Sequence, residues 1–216
     1  MERILKLYAL DYDPLYPVVC FDERPCFLIG DKVEPIPMKK GQIAKQGYAY
    51  EKNGSCSLLA AIEPLTGKRI AKVYEFRRKK EYALFMKELA IAFPKAKKIR
   101  LVQDNLNTHN ESSFYENFPA DEAFQLAQRF DWNYYTPKSA SWLNMIEIEF
   151  SALSRQCLNR RIDSLNEHVR EVFAFMKDRH ERGVKINWQF TVDQARDKLN
   201  SGYVRVNGEN KKYNKT

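Results

Sequence analysis

Three carboxylates stand where apolar runs give way to polar residues: Asp22, Asp104 and Glu147. Asp22 closes Tyr16-Pro17-Val18-Val19-Cys20-Phe21. Asp104 closes Ile99-Arg100-Leu101-Val102-Gln103 and opens Asp104-Asn105-Leu106-Asn107-Thr108-His109. Glu147 lies in a helical pattern that begins just after Thr136-Pro137-Lys138-Ser139-Ala140-Ser141-Trp142-Leu143-Asn144. Two acids at strand ends and a third on a later helix make an oxygen-rich cage, the donor set suited to hard cations such as Mg2+. The chain carries 36 Lys and Arg against 28 Asp and Glu, a formal charge of +8. On so basic a chain, the substrate expected for such a cage is a polyanion, with nucleic acid the leading class.

Each acid taken singly also reads as a solvated loop residue or a helix cap, and Asp104 could cap the segment after it. The strand, strand, helix order of all three is what points to a metal. The third acid is open between Glu147 and Glu149, which point about 200° apart on a helix. The buried stripe there is Leu143, Ile146, Phe150, Leu153 and Cys157, and both glutamates flank it. Around the acids, His109 reads as a loop histidine, a support for the metal ligands or a phosphate contact. Trp142 reads as a core anchor or a stacking surface for a base, and Lys138 as a solvated lysine or a phosphate contact. No glycine-rich phosphate loop, nucleophile elbow or His-Glu-x-x-His motif competes for the function.

The elements that must hold these residues follow from periodicity. Residues 16–22 read as a buried strand, and residues 57–62 and 69–74 flank Glu63-Pro64-Leu65-Thr66-Gly67-Lys68 as a hairpin. Residues 79–93 carry Tyr82, Phe85, Met86, Leu89, Ala90 and Phe93 at helical spacing. Residues 99–102 return to strand. Short helices are expected near 111–117 and 120–130, and a strand over 132–135. Helices follow over 143–158 and 164–180, the latter opened by the capping box Ser164-Leu165-Asn166-Glu167. A last short helix is expected over 192–199. Residues 31–46 read as a loop or partly ordered arm, and residues 207–216 as polar, basic and disordered. Strands interleaved with helices predict an α/β layered fold around a mixed sheet.

The totals fit one large domain: 216 residues, 44% hydrophobic, with 13 Phe and 12 Tyr. The sequence pI is near 9.2. The four cysteines, at 20, 26, 56 and 157, have no zinc-ligand spacing and read as buried small hydrophobes in a reducing compartment. The N-terminus is too short and too charged for a signal peptide or a membrane span, so a cytoplasmic protein with no membrane partner is expected.

Phe21-Asp22-Glu23-Arg24-Pro25, the Asp104 to His109 run, and the Thr136 to Glu147 run resemble the motifs of the DDE transposases of the insertion-sequence 630 and mariner superfamily. Trp188-Gln189-Phe190 with Asp193-Gln194-Ala195-Arg196 is similar to the segment that closes such proteins. The resemblance runs over residues 15–200. It implies an RNase H-like fold, a mixed five-stranded sheet flanked by helices. It also implies two Mg2+ ions, with Mn2+ as a substitute, held by Asp22, Asp104 and Glu147. The match of Leu143-Asn144-Met145-Ile146-Glu147 favours Glu147 over Glu149, which is then expected to be replaceable. Asn105, His109, Lys138, Trp142 and Asn144 are the candidates for supporting the ligands or touching DNA.

The activity implied is metal-dependent DNA strand cleavage and strand transfer at the ends of an insertion sequence. Double-stranded DNA, both element ends and target, is the implied partner, bound by a homodimer or higher assembly beside a bacterial nucleoid. Arg77-Arg78-Lys79-Lys80, Lys95 to Lys98 and Arg160-Arg161 are candidates for tracking its backbone. Three regions are expected: residues 1–14 as the tail of an upstream region or a linker, 15–182 as the catalytic domain, and 183–216 as a partly disordered C-terminal extension. Family members carry N-terminal helix-turn-helix domains, whereas this chain starts almost at the first catalytic strand. A separate helix-turn-helix chain, a split reading frame or a remnant is the corresponding expectation. The alternatives are a related nuclease that cuts without joining, and an inactive DNA-binding regulator of a full-length transposase.

Overall fold

The computed structural model describes residues 1–213. In chain order it contains α1 (Glu2–Tyr8), β1 (Val18–Asp31), β2 (Tyr50–Glu63), β3 (Lys68–Tyr74), α2 (Lys79–Ala92), β4 (Ile99–Gln103), α3 (Ser112–Tyr115), α4 (Ala120–Gln128) and β5 (Phe130–Tyr135). A 3-10 turn, Ser141–Leu143, then leads into α5 (Ile146–Gln156), α6 (Leu165–Glu181), α7 (Val192–Lys198) and α8 (Asn200–Val206). The five strands form one sheet in the order β3-β2-β1-β4-β5. β1, β2 and β3 pair antiparallel, and β1, β4 and β5 pair parallel. This is the mixed five-stranded α/β sheet, flanked by helices, that the family resemblance implies.

Strand periodicity sorts the core into two layers. Successive side chains of a strand point to opposite faces. Val18 and Cys20 of β1, with Leu58, Ala60 and Ile62 of β2, join the core on one face. There they meet Ile4 and Leu7 of α1, Ile146, Phe150 and Leu153 of α5, and Val172, Phe175 and Met176 of α6. Val19, Phe21, Leu59, Ala61, Ile99 and Leu101 join the core on the other. That side holds the α2 stripe Tyr82, Phe85, Met86 and Leu89, together with Phe114 of α3 and Leu126 of α4. The sheet is therefore the middle of three layers.

β1 is longer than its apolar run suggests. It continues through Asp22-Glu23-Arg24-Pro25 to Asp31, so Asp22 lies within the strand and not at its end. The reason is the neighbour on each side. β4 accompanies β1 only over Val18 to Cys20, while β2 pairs it as far as Asp31. Beyond Cys20 one edge of β1 has no strand beside it, and an edge tolerates both the charges and the proline.

Turn chemistry fixes the β2–β3 hairpin. The buried Glu63 carboxylate accepts the N–H groups of Leu65 and Thr66 at 3.2 and 2.7 Å. Gly67 has φ +78, and a Cβ there would lie 2.4 Å from the Val184 carbonyl oxygen, so glycine is required twice over. The Ser164 hydroxyl caps α6 by accepting from the Glu167 N–H at 3.4 Å.

Residues 31–46 form no helix or long strand, only the bridges Ile36–Lys45 and Lys39–Gln42. Arg161 ties the root of this arm by donating to Asp31 and to the carbonyls of Gly47, Tyr48 and Ala49. The two chain ends meet: Glu2 accepts two bonds from Arg196 and one from Tyr203, each 2.9 Å. Where disorder was expected, Gly208–Tyr213 is a 3-10 helix. The rest of that expectation, residues 214–216, lies outside the described residues. No helix among the described residues is long and apolar enough to cross a membrane.

Candidate active site

Parallel pairing of β1 and β4 brings the first two acids side by side. Cys20 is the partner of Val102, so Asp22 and Asp104 each stand two residues beyond the last paired position. Cys20 and Val102 both face the α5 layer. A step of two returns a strand side chain to the same face, so the acids lean toward α5 as well. Glu147 is in the first turn of α5. Asp22, Asp104 and Glu147 line one open cavity of about 700 Å³, with Asn105, Leu106, Tyr135, Thr136, Lys138, Ser139 and Ser141 completing its wall.

Supporting residues hold two of the three acids. Asn144 is buried and donates from Nδ2 to the Phe21 carbonyl at 2.7 Å and to Asp22 Oδ2 at 3.4 Å. Asp22 Oδ1 accepts the Glu23 N–H at 2.8 Å. Asp104 Oδ1 accepts the Leu106 N–H at 3.3 Å and pairs with Nδ1 of the buried His109. His109 stacks on Tyr82 at 4.9 Å and meets the edge of Phe21 at 5.3 Å. Its Nε2 lies 3.7 Å from Glu23, which also pairs with Arg77 at 3.2 Å. His109 thus stands behind Asp104 and away from the cavity wall. Arg24 binds β1 to α5 by donating to the Phe150 carbonyl at 3.0 Å and to the Ser154 hydroxyl.

The electrostatics are unbalanced in favour of negative charge. Burial, together with Asp104 and Glu147, pushes the Asp22 carboxyl up to about 7 against the pull of the Glu23 N–H. Burial also raises Glu147, with Arg24 opposing it. Burial would raise Asp104, but the bond to His109 brings it below the ordinary value. For His109, burial acts downward and is overcome by Asp104 and Glu23, which carry it up to about 9.

The second glutamate has a different position. Glu149 is wholly buried, and each of its oxygens accepts from both Arg69 and Arg179 at 2.8–3.0 Å. Burial would raise its carboxyl, yet the two guanidinium groups hold it below the ordinary value. The expectation that Glu149 is replaceable is therefore corrected: removing it would leave two buried arginines without their counter-charge.

Among the described residues, no three His, Cys, Asp or Glu groups converge closely enough, as they stand, to hold a metal ion. The donor set nevertheless fits a hard cation. It consists of three carboxylates, two of them with raised protonation, and of Asn144, whose Oδ1 is buried with no hydrogen-bond partner among the described residues. Asp104 would have to turn toward the cavity from His109, with which it is paired.

Trp142 does not line this cavity. It is 43% exposed and packs against Trp188 and Phe190, at 6.5 and 5.6 Å between ring centroids. Several of the basic residues picked out for DNA are engaged in ion pairs. Arg77 pairs with Glu23, Arg78 with Glu81, Lys79 with Glu116, Arg160 with Glu167 and Glu171, and Arg161 with Asp31. Lys95 to Lys98 precede β4 and so lie at the end of that strand opposite Asp104. Glu23, Arg24 and Ser139 belong to the site without having stood out as candidates in the sequence. Ser139 is the one described non-glycine residue with positive φ, at 61°, and it forms part of the cavity wall. The signal for the first two was their adjacency to Asp22, and for Ser139 its place in the Thr136 to Glu147 run beside Lys138.

Residues 17–168 match the model of the DDE superfamily endonucleases. The chain belongs to that family. The match spans β1 to the first turn of α6 and so includes all three cavity acids of this DDE-family domain. Among solved structures, the domain is similar to the crystal structure of the Mos1 mariner paired end complex with Mn. Identity is 14% and the TM-score 0.34, over 86% of this chain and 60% of that one. The DDE-family chain thus spans less than two thirds of the Mos1 chain. No curated protein matches it.

Proposed function

We propose that this DDE-family chain is the catalytic domain of a transposase, cutting DNA strands at the ends of an insertion sequence and joining them to a target. The observation that carries the reading is the lining of one cavity by Asp22, Asp104 and Glu147, drawn from three segments far apart in sequence. The raised protonation of Asp22 and Glu147 supports it, because buried carboxylates crowded together favour an added cation. In this reading the three acids hold divalent ions, Mg2+ or Mn2+. Bound there, a pair of such ions supplies Lewis acidity to both the attacking and the leaving oxygen at phosphorus.

The remaining roles belong to the chain itself. Asn144 keeps Asp22 turned toward the cavity, and His109 holds Asp104 until a cation competes for it. Arg24 fixes the distance between β1 and α5, and with it the spacing of Asp22 and Glu147. Lys138 on the cavity wall is placed to meet a phosphate, and Asn105 to donate to one. Cleavage and joining are then the same displacement at phosphorus with different nucleophiles, water first and a DNA 3′-hydroxyl second.

The test is a DNA duplex carrying the element's end, incubated with the chain and Mg2+ alongside a target plasmid. Nicked ends and joined products, both lost in Asp104→Asn, support the reading. Cleavage with no joining would favour a nuclease. No metal-dependent cleavage, with or without a helix-turn-helix partner chain, would overturn it.

A further inference from the structure

Cys26 and Cys56 are direct cross-strand partners in the pairing of β1 with β2. Both belong to the core on the α5 and α6 side of the sheet, so both side chains project to the same face. Opposed residues of an antiparallel pair hold their Cβ atoms about 4.5–5.5 Å apart, a small adjustment from the span of a disulfide. The two sulfurs are inequivalent. Cys56, and after it His168, lower the Cys26 thiol below its ordinary range against the effect of burial, while Cys56 itself is pushed up.

A buried histidine, His168, accompanies the pair. It lies in the first turn of α6 and is 2% exposed. Neither of its ring nitrogens has a hydrogen-bond partner among the described residues. A buried imidazole in that state costs free energy unless its neighbour makes use of it, and its neighbour is the Cys26 sulfur. The other thiols differ. Cys20 is fully enclosed and pushed up to about 12, and Cys157 is raised by burial and by Glu171.

The pair also sits where the sheet is narrowest. Pairing of β1 with β4 ends at Cys20, and pairing of β2 with β3 ends at Ser57. At Cys26 and Cys56 the sheet is a two-stranded ribbon, which opens locally at a lower free energy than its centre and admits a small reagent.

We propose that Cys26, Cys56 and His168 form a thiol-oxidation site that closes a Cys26–Cys56 disulfide on reaction with a small hydroperoxide. The Cys26 thiolate attacks the peroxide, forming an S–O bond as the O–O bond breaks. The departing alkoxide or hydroxide takes up the proton that Cys26 has released. Cys56 then attacks the sulfenic sulfur, forming the S–S bond and breaking the S–O bond, and its proton leaves with the hydroxide as water. Two electrons pass from the sulfur pair to the hydroperoxide. None of this involves the carboxylate cavity, so it stands or falls apart from the transposase reading.

The experiment treats the folded full chain with graded hydrogen peroxide, alkylates the remaining thiols and maps the peptides by mass. The expected result is a peptide joining Cys26 to Cys56, two hydrogens lighter than its parts and released by dithiothreitol. Cys20 should still be alkylated after unfolding. In Cys56→Ser, dimedone should trap a sulfenic acid at Cys26, and in His168→Gln the disulfide should form about tenfold more slowly. Oxidation of Cys157 while Cys26 and Cys56 are both recovered as thiols, in a chain of native circular dichroism, would overturn the proposal. So would a folded Cys56→Ser chain with no dimedone adduct at Cys26.

Discussion

Glu147 and Glu149 stand two residues apart on one helix and meet opposite surroundings. Glu149 has no exposed surface, and two guanidinium forks satisfy both of its oxygens. Glu147 faces the cavity beside Asp22 and Asp104, and burial raises its carboxyl. Both glutamates are partly or wholly withdrawn from water, so burial does not separate them. Compensation does. A buried carboxylate whose charge is matched inside the fold is a tie between elements, here joining α5 to β3 and α6. A cluster whose charge is left unmatched carries a cost that a bound cation removes, which is the usual signature of a functional site.

The largest effects should come from exchanging amides for acids on the unmatched side. Glu147→Gln and Asp22→Asn are each expected to lower metal-dependent cleavage at least a thousandfold, over about 4 kcal/mol in barrier. Denaturant unfolding of both variants should show no loss of stability. Cleavage within tenfold of the parent chain would remove Glu147 or Asp22 from the site.

Next in size is the matched side. Glu149→Gln should cost about 3–5 kcal/mol of stability, because Arg69 and Arg179 remain buried without their partner. Urea unfolding midpoints measure this directly. A midpoint unchanged from the parent would mean that the two arginines find other acceptors, and the contrast between the glutamates would collapse.

Asn144→Ala should be milder. It leaves the three acids in place but frees Asp22 from its amide, so Mg2+ should bind about 10–100-fold more weakly, the range seen when a ligand loses its support. Titration calorimetry with Mg2+ separates this from a loss of folding.

The smallest effect is a pH dependence of metal-free stability. Asp22 titrates at about 7 in the fold against an ordinary value of 3.8. Between those values the folded chain binds the extra proton, so this group makes stability fall as pH rises from about 4 to about 7. Asp22→Asn removes the fall. It should be more stable than the parent at pH 8 and no different at pH 3. Added Mg2+ should narrow the difference at pH 8, because it stabilises only the chain that retains the carboxylate.

Much of the architecture was legible locally. The α2 stripe, the hairpin around Pro64 and Gly67, and the Ser164 cap are all set by residues within a few positions of one another. Asp22, Asp104 and Glu147 were legible as candidates because each breaks an apolar pattern inside a recognisable motif. The length of β1 was not. Asp22-Glu23-Arg24-Pro25 reads as the end of a strand unless one knows that β4 stops at Cys20 and leaves an edge free.

The sequence by itself determined the order of elements, the face each apolar residue seeks and the family to which the chain belongs, because these depend on periodicity and short motifs. Only the tertiary structure decided which glutamate is matched. The partners of Glu149 lie 80 and 30 residues away in the chain. No local pattern encodes which cations long-range packing will deliver to a buried acid. The same packing set Cys56 opposite Cys26 and put His168 beside them, by register between distant strands and the seating of a helix.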